Sequence, residues 1–215
     1  MRFRLTGDFS CLSDTLAENQ YFPKDLYKKN PKECYIDCGA FDGDTIQTFL
    51  AVSHYEYSEI IAFEADPANY KKLTMYAHEE VNLKGKITCY QKALGASIGR
   101  IRFSATGLVS ASIATNGEVE VDRTTLDGDL SDRHPTFLKM DIEGAEMDTL
   151  KGGTRVISKC QPLLAVCVYH EQSHLWEVPL KIRELQPTSS IFLRPYSHNG
   201  FELVCYGIPA SRLKP

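Results

Sequence analysis

The sequence predicts an α/β fold: a doubly wound, mostly parallel, seven-stranded sheet with an antiparallel C-terminal strand. Three observations predict it. From residue 33 onward, short apolar runs alternate with helix-period segments, the β-α-β-α-β rhythm of a parallel sheet. PLLAVCVYH, 162–170, is apolar almost throughout, as expected of a strand covered on both faces, and is read as central. SIFLRPY and FELVCYGIP, joined by SHNG, close the chain as a hairpin, which sets an antiparallel strand into the sheet.

The elements follow in order. Residues 1–32 are a polar lead-in ending in the turn signal NPKE, with a short helix around 11–18 and a dense set of aromatics: Phe3, Phe9, Tyr21, Phe22 and Tyr27. Such residues dock a terminal segment on a core; stacking on a ligand ring is the alternative. The domain proper spans 33–215. Residues 33–38 read as the first strand and 44–52 as a helix, with Asp42 or Asp44 capping a start near Thr45. Residues 59–64 read as the second strand. The helix over 67–80 opens on Pro67, whose fixed φ suits a first turn. Residues 86–92 form the third strand. Over 97–125, IRFSATG and EVEVDRTT alternate apolar and polar residues, the pattern of a hairpin insertion. TFLKMDI, 136–142, returns to a buried strand. GAEMDTLKGG is a helix with a glycine stop, and 173–185 is the last helix.

Composition narrows the function. At 215 residues with a net charge of −4, the chain has the size of one domain and lacks the basic surplus of a general nucleic-acid or anionic-membrane binder. No apolar run reaches membrane-spanning length, and MRFRLTGDFSCLSD lacks the apolar segment of a secretory signal. Seven cysteines without zinc-like clustering fit buried thiols in a reducing compartment, so a cytoplasmic location is expected.

The chemistry concentrates in YIDCGAFDGDT, 35–45, and IIAFEAD, 60–66. The first is a strand ending in an acid and breaking into a glycine turn; the second is a strand ending in Glu64. In α/β folds this pairing suits a nucleotide-like cofactor, because the turn admits backbone N–H groups and the second acid takes ribose hydroxyls. A dinucleotide needs G-x-G-x-x-G so that pyrophosphate can touch bare backbone. Here Phe41 stands where the middle glycine belongs, and Asp37, Asp42 and Asp44 surround the loop with negative charge. That charge repels pyrophosphate and suits a cofactor with a sulfonium and an ammonium, S-adenosylmethionine. An NAD-dependent oxidoreductase is the runner-up, and a non-catalytic binding module with the same fold is the non-enzyme alternative.

Four segments in order resemble the FkbM family of S-adenosylmethionine-dependent methyltransferases: YIDCGAFDGDT; IIAFEADPANYKKL; VDRTTLD with FLKMDIEGAEMDTLKGG; and PLLAVCVYH with FLRPYSHNGFELVCYGIP. The run KMDIEGAE after a buried strand is the most distinctive. The resemblance implies a Rossmann-like class I methyltransferase fold and an O-methyltransferase acting on a sugar or a sugar-containing small molecule. Carried onto this chain, it implies that Asp37, Gly39, Ala40, Phe41 and Gly43 hold the methionine half of the cofactor. Glu64 takes the ribose hydroxyls, with Ala65 and Asp66 near the adenine, and Ala93 lines the adenine pocket with Gln91 as a weaker candidate. The family's later acids map to Asp141, Glu143 and Glu146.

A sugar hydroxyl is a poor nucleophile and needs a base or a metal. At the carboxyl ends of the parallel strands, Asp141 and Glu143 follow the fourth strand and His170 ends the fifth, so these are the candidate catalytic groups. Glu146, in a first helical turn, is accounted for by the helix dipole. Tyr196 and His198 lie in or near the terminal turn and are candidates for touching substrate, with an exposed turn position the favoured reading for His198. Asp141, Glu143 and His170 also offer donors to magnesium, which the sequence leaves open, as it does the oligomeric state and the acceptor.

Overall fold

The computed structural model describes residues 19–79, 86–103, 119–197 and 201–215. The helix expected around 11–18, Phe3, Phe9, the tip of the hairpin insertion, and His198 with the rest of SHNG beyond Ser197 lie outside those residues.

Seven strands make the main sheet: β1 (Cys34–Cys38), β2 (Glu59–Phe63), β3 (Lys86–Tyr90), β7 (Phe137–Met140), β8 (Leu163–Cys167), β9 (Ser190–Pro195) and β10 (Leu203–Ile208). Their spatial order is β3-β2-β1-β7-β8-β10-β9. Pairing is parallel from β3 through β8, and β10 runs antiparallel to both neighbours. The expected doubly wound sheet with an antiparallel C-terminal strand is therefore present. The order reverses between β1 and β7, and ligands of open α/β sheets bind at such a switch point. β8 is wholly buried as its composition requires, although β7 holds the middle place.

Strand alternation sorts the two faces. Ile36, Leu138 and Val166 face one layer, where they meet Leu150, Ile157, Val178 and Ile182. Those four belong to α4 (Glu146–Gly152), α5 (Thr154–Cys160) and α6 (His174–Leu185). Tyr35, Ala62, Ala165 and Tyr206 face the other layer, with Phe49 and Leu50 of α1 (Asp44–Ser53) and Leu73 of α2 (Pro67–Glu79). Tyr35 stacks on Phe49 with centroids 4.4 Å apart. The described part of the lead-in docks on this second face: Phe22 packs against Tyr35, Phe49 and Phe137. Each such buried aromatic contributes on the order of 1.5–3 kcal/mol of burial free energy.

The insertion is a second sheet of three strands in the order β4-β6-β5, with β4 at Ala93–Leu94, β5 at Gly99–Phe103 and β6 at Val119–Thr124. β5 and β6 pair antiparallel, as the alternating pattern predicts. Two helices were not anticipated. α3 (Leu126–Asp129) is a single turn in which Thr125 accepts the Gly128 N–H. α5 begins where the Asp127 carboxylate accepts the N–H groups of Arg155 and Val156. That cap comes from another element, so no local motif announces the helix. At α1 the expected aspartate cap is replaced: Gly43, at φ 99°, holds the N-cap position, and Asp44 sits in the first turn with its carboxylate on the Thr45 N–H.

Candidate active site

A cavity of about 260 Å³ opens at the carboxyl ends of β1, β2, β7 and β8, at the switch point. The loop after β1 supplies Gly39 and Phe41, the end of β2 supplies Phe63, Glu64 and Ala65, and the segment after β3 supplies Lys92, Ala93 and Leu94. Lys139, Asp141, Ile142 and Glu143 come from β7 and its loop, and Tyr169 follows β8. Gln20 and Tyr21 of the lead-in close one side with Glu202.

Two loops cross tightly at its floor. The N–H groups of Gly39 and Ala40 both donate to the Phe63 carbonyl at 3.0 Å. Gly39 has φ 82°, and a Cβ there would stand 1.9 Å from the Asp141 carbonyl oxygen. Only glycine lets the β1 and β7 loops meet at this distance.

Glu64 is buried, and backbone holds it in place. One oxygen accepts the Phe41 N–H at 2.8 Å and the other accepts the Asp66 N–H at 2.8 Å. Each oxygen keeps lone-pair capacity toward the cavity. Burial pushes the carboxyl up to about 6, against the pull of those two N–H donors. Asp66 faces away, capping α2 through the Ala68 and Asn69 N–H groups.

Lys139, which sequence reasoning passed over, lies within the core beneath the cavity. Its ammonium donates to Asp37 at 3.0 Å and to the Gly39 carbonyl at 2.7 Å, and it sits over the Tyr21 ring. Burial disfavours the charge, but the Asp37 and Asp141 carboxylates outweigh it and hold the ammonium protonated. Asp37, Ala40 and Gly43 do not line the cavity. Asp37 ties the loop through Lys139, Ala40 packs in the core, and Gly43 backs onto the Tyr76 ring. Gln91 is also outside the lining, whereas Ala93 is within it.

At the other end, Asp141 accepts the Tyr21 hydroxyl at 2.7 Å and the Tyr169 hydroxyl at 3.4 Å. His170 stands one layer behind. Its Nδ1 bonds Glu146 at 2.7 Å, and its Nε2 lies 3.3 Å from Asp141 and 3.6 Å from Glu143. Burial pulls the His170 ring down, but Glu146, Asp141 and Glu143 outweigh it and raise its pKa. Glu146 is fully buried and does more than answer a helix dipole: it accepts the Ile142 N–H and faces both His170 and His174. Burial pushes its carboxyl up, yet the two imidazoles outweigh that and draw it down to about 2. Glu143 is pushed up by burial, with His170 opposing. Tyr196 bonds the Tyr206 hydroxyl at 2.6 Å and is not in the lining.

Residues 37–202 match the family model of the methyltransferase FkbM domain. Among solved structures, the chain is similar to methyltransferase FkbM from Methylobacillus flagellatus KT, with a TM-score of 0.80 and 25% identity over 96% of this chain and 52% of that one. The chain thus spans about half the length of that relative. The fold is shared with a putative rRNA-methylase from Clostridium thermocellum, at a TM-score of 0.53 and 10% identity, covering 86% of this chain and 90% of that one. It is shared too with Aeropyrum pernix fibrillarin, solved with natively bound S-adenosyl-L-methionine, at 0.51 and 9%, covering 88% and 73%. No curated protein matches the chain.

Proposed function

The chain belongs to the FkbM methyltransferase family, and from that premise we propose that it is an S-adenosylmethionine-dependent O-methyltransferase acting on a hydroxyl of a sugar or of a glycosylated small molecule. The observation that carries the reading is Glu64, a buried carboxylate already oriented by two backbone donors and facing the cavity. Charge supports the same cofactor. Asp44, Glu64, Asp141, Glu143 and Glu202 line the cavity against Lys92 and Lys139, and both lysines are neutralised by Asp129 and Asp37. Such a lining suits a sulfonium and an ammonium and opposes the pyrophosphate of NAD.

In the proposed binding mode Glu64 takes the ribose hydroxyls, Ala65 and Ala93 flank the adenine, and Gly39 and Phe41 face the methionine half. Asp37, Ala40 and Gly43 support that half from behind the wall. Methyl transfer is then an in-line displacement. The acceptor oxygen attacks the methyl carbon, the carbon–sulfur bond breaks with its electron pair going to sulfur, and the hydroxyl proton passes to Asp141. Alignment supplies most of the acceleration. Tyr21 and Tyr169 hold the Asp141 carboxylate, and His170 positions it from behind. Residues 19–32 of the lead-in (1–32) are read as a cover that brings Tyr21 to this carboxylate, over a methyltransferase domain at 33–215. A cytoplasmic setting is supported by the free thiols among the described residues. No described helix is long and apolar enough to cross a membrane.

Incubation with methyl-labelled S-adenosylmethionine and a panel of saccharides tests the proposal. Label should enter a hydroxyl of one acceptor class, and Asp141→Asn should slow transfer by about 100-fold. Transfer undiminished in Asp141→Asn removes the assigned base.

A further inference from the structure

A second cavity, of about 430 Å³, opens at the amino ends of β1 and β7, the end of the sheet opposite the candidate active site. Small-molecule pockets run from roughly 300 to 1,000 Å³. Four aromatic rings wall it: Phe22 and Tyr27 of the lead-in, Phe49 of α1, and Phe137, the first residue of β7. Phe137 meets Phe22 at 5.5 Å and Tyr27 at 5.7 Å, both edge to face, so the wall is preformed. The rim is cationic: Lys24, Lys29 and Lys214 stand exposed around the opening. Lys29 donates to the Val52 carbonyl and Lys214 to the Lys24 carbonyl, neutral acceptors that leave each ammonium its charge and further donors. Among the described residues, none of the three lysines is in an ion pair. The nearby acids are mostly occupied. Arg212 binds both oxygens of the buried Glu33. Asp25, within the field of Lys214, is held by both terminal nitrogens of Arg194. Glu56 alone is left, so this rim carries a cationic surplus on a chain of net charge −4.

We propose that this cavity binds a small aromatic monoacid, with its ring against the Phe22, Tyr27, Phe49 and Phe137 wall and its acid group among Lys24, Lys29 and Lys214. A planar aromatic body can meet the wall in the offset or edge-to-face contacts that such rings prefer. Its acid group stays at the exposed rim beside three cations, so no charge is buried unpaired. A purely polar anion leaves the aromatic wall unfilled, and a neutral ring leaves the rim charge unanswered. The inference does not rest on methyl transfer, because no residue of this cavity lines the candidate active site.

Titration of 2-naphthoate into the isotope-labelled full chain, followed by amide NMR shifts, tests the site. The result expected is saturable one-to-one binding with a dissociation constant of about 0.1–1 mM. The shifts should concentrate at the amides of Lys24, Lys29, Val52, Ser53 and Lys214. 2-Naphthol, which has the same rings without the charge, and inorganic phosphate, which has charge without rings, should each bind about five-fold more weakly or less tightly still. Lys24→Gln combined with Lys214→Gln, at exposed positions that leave the wall intact, should weaken 2-naphthoate binding by about five-fold. Absence of saturation overturns the proposal, as does 2-naphthol or phosphate binding as tightly as 2-naphthoate. Shifts centred on Glu64 and Asp141 would also overturn it, and so would a concentration-dependent dimer whose formation excludes 2-naphthoate.

Discussion

Replacing Glu64 probes the cofactor assignment at its strongest point. The two N–H groups that hold the carboxylate, from Phe41 and Asp66, fix its orientation before any ligand arrives. Two ribose hydroxyls donating to it form charge-assisted bonds of about 1.5–3 kcal/mol each. Water recovers part of that in the variant, so Glu64→Ala should weaken S-adenosylhomocysteine binding by about ten- to a hundred-fold. The same carboxyl supplies a second reading. Its pKa is raised to about 6 in the free protein, so it is largely protonated at pH 5, whereas the proposed ribose contacts need the carboxylate. Affinity should then fall by about ten-fold between pH 7.5 and pH 5. Glu64→Gln should flatten that difference. Isothermal calorimetry at both pH values, with circular dichroism to verify folding, makes the measurement. If Glu64→Ala binds as tightly as the unaltered chain, the ribose assignment is wrong.

Three further outcomes follow from the geometry. Gly39→Ala drives a Cβ into the Asp141 carbonyl at a positive φ, and should cost about 2 kcal/mol or more, visible as a lowered melting temperature. Lys139→Met leaves Asp37 buried without its partner and should cost about 3–5 kcal/mol in urea unfolding, whereas Lys139→Met with Asp37→Asn should cost clearly less. Glu146 has a folded pKa of about 2, below its unfolded value, so its stabilisation is complete above the ordinary carboxyl range and is lost as pH falls toward 2. That contribution is about 3 kcal/mol, and Glu146→Gln should flatten the acid limb of a melting-temperature profile between about pH 5 and 2.

What was legible in the sequence is what local pattern encodes. CYIDC and LLAVC read as buried strands because every residue in them is buried. Gly39, Phe41 and Glu64 are traceable because strand ends and turn residues mark the edge where ligands bind, whereas Ala93 is traceable only through the resemblance to the family. The missing parts depend on contacts between distant segments. α5 is capped by Asp127, and Tyr21 reaches Asp141 across 120 residues of chain. Glu146 looked like a dipole carboxylate because the imidazoles of His170 and His174 come from elsewhere. Lys139 did leave a signal. A lysine in the apolar run FLKM cannot be buried unpaired, and Asp37 is its register partner on the neighbouring strand.

The central claim is that the cavity at the switch point holds S-adenosylmethionine. Separate calorimetric titrations of S-adenosylhomocysteine and NAD into the same protein test it most directly. The account predicts saturable one-to-one binding of S-adenosylhomocysteine, lost or sharply weakened in Glu64→Ala, and no measurable heat from NAD. Saturable binding of NAD with none of S-adenosylhomocysteine would contradict it.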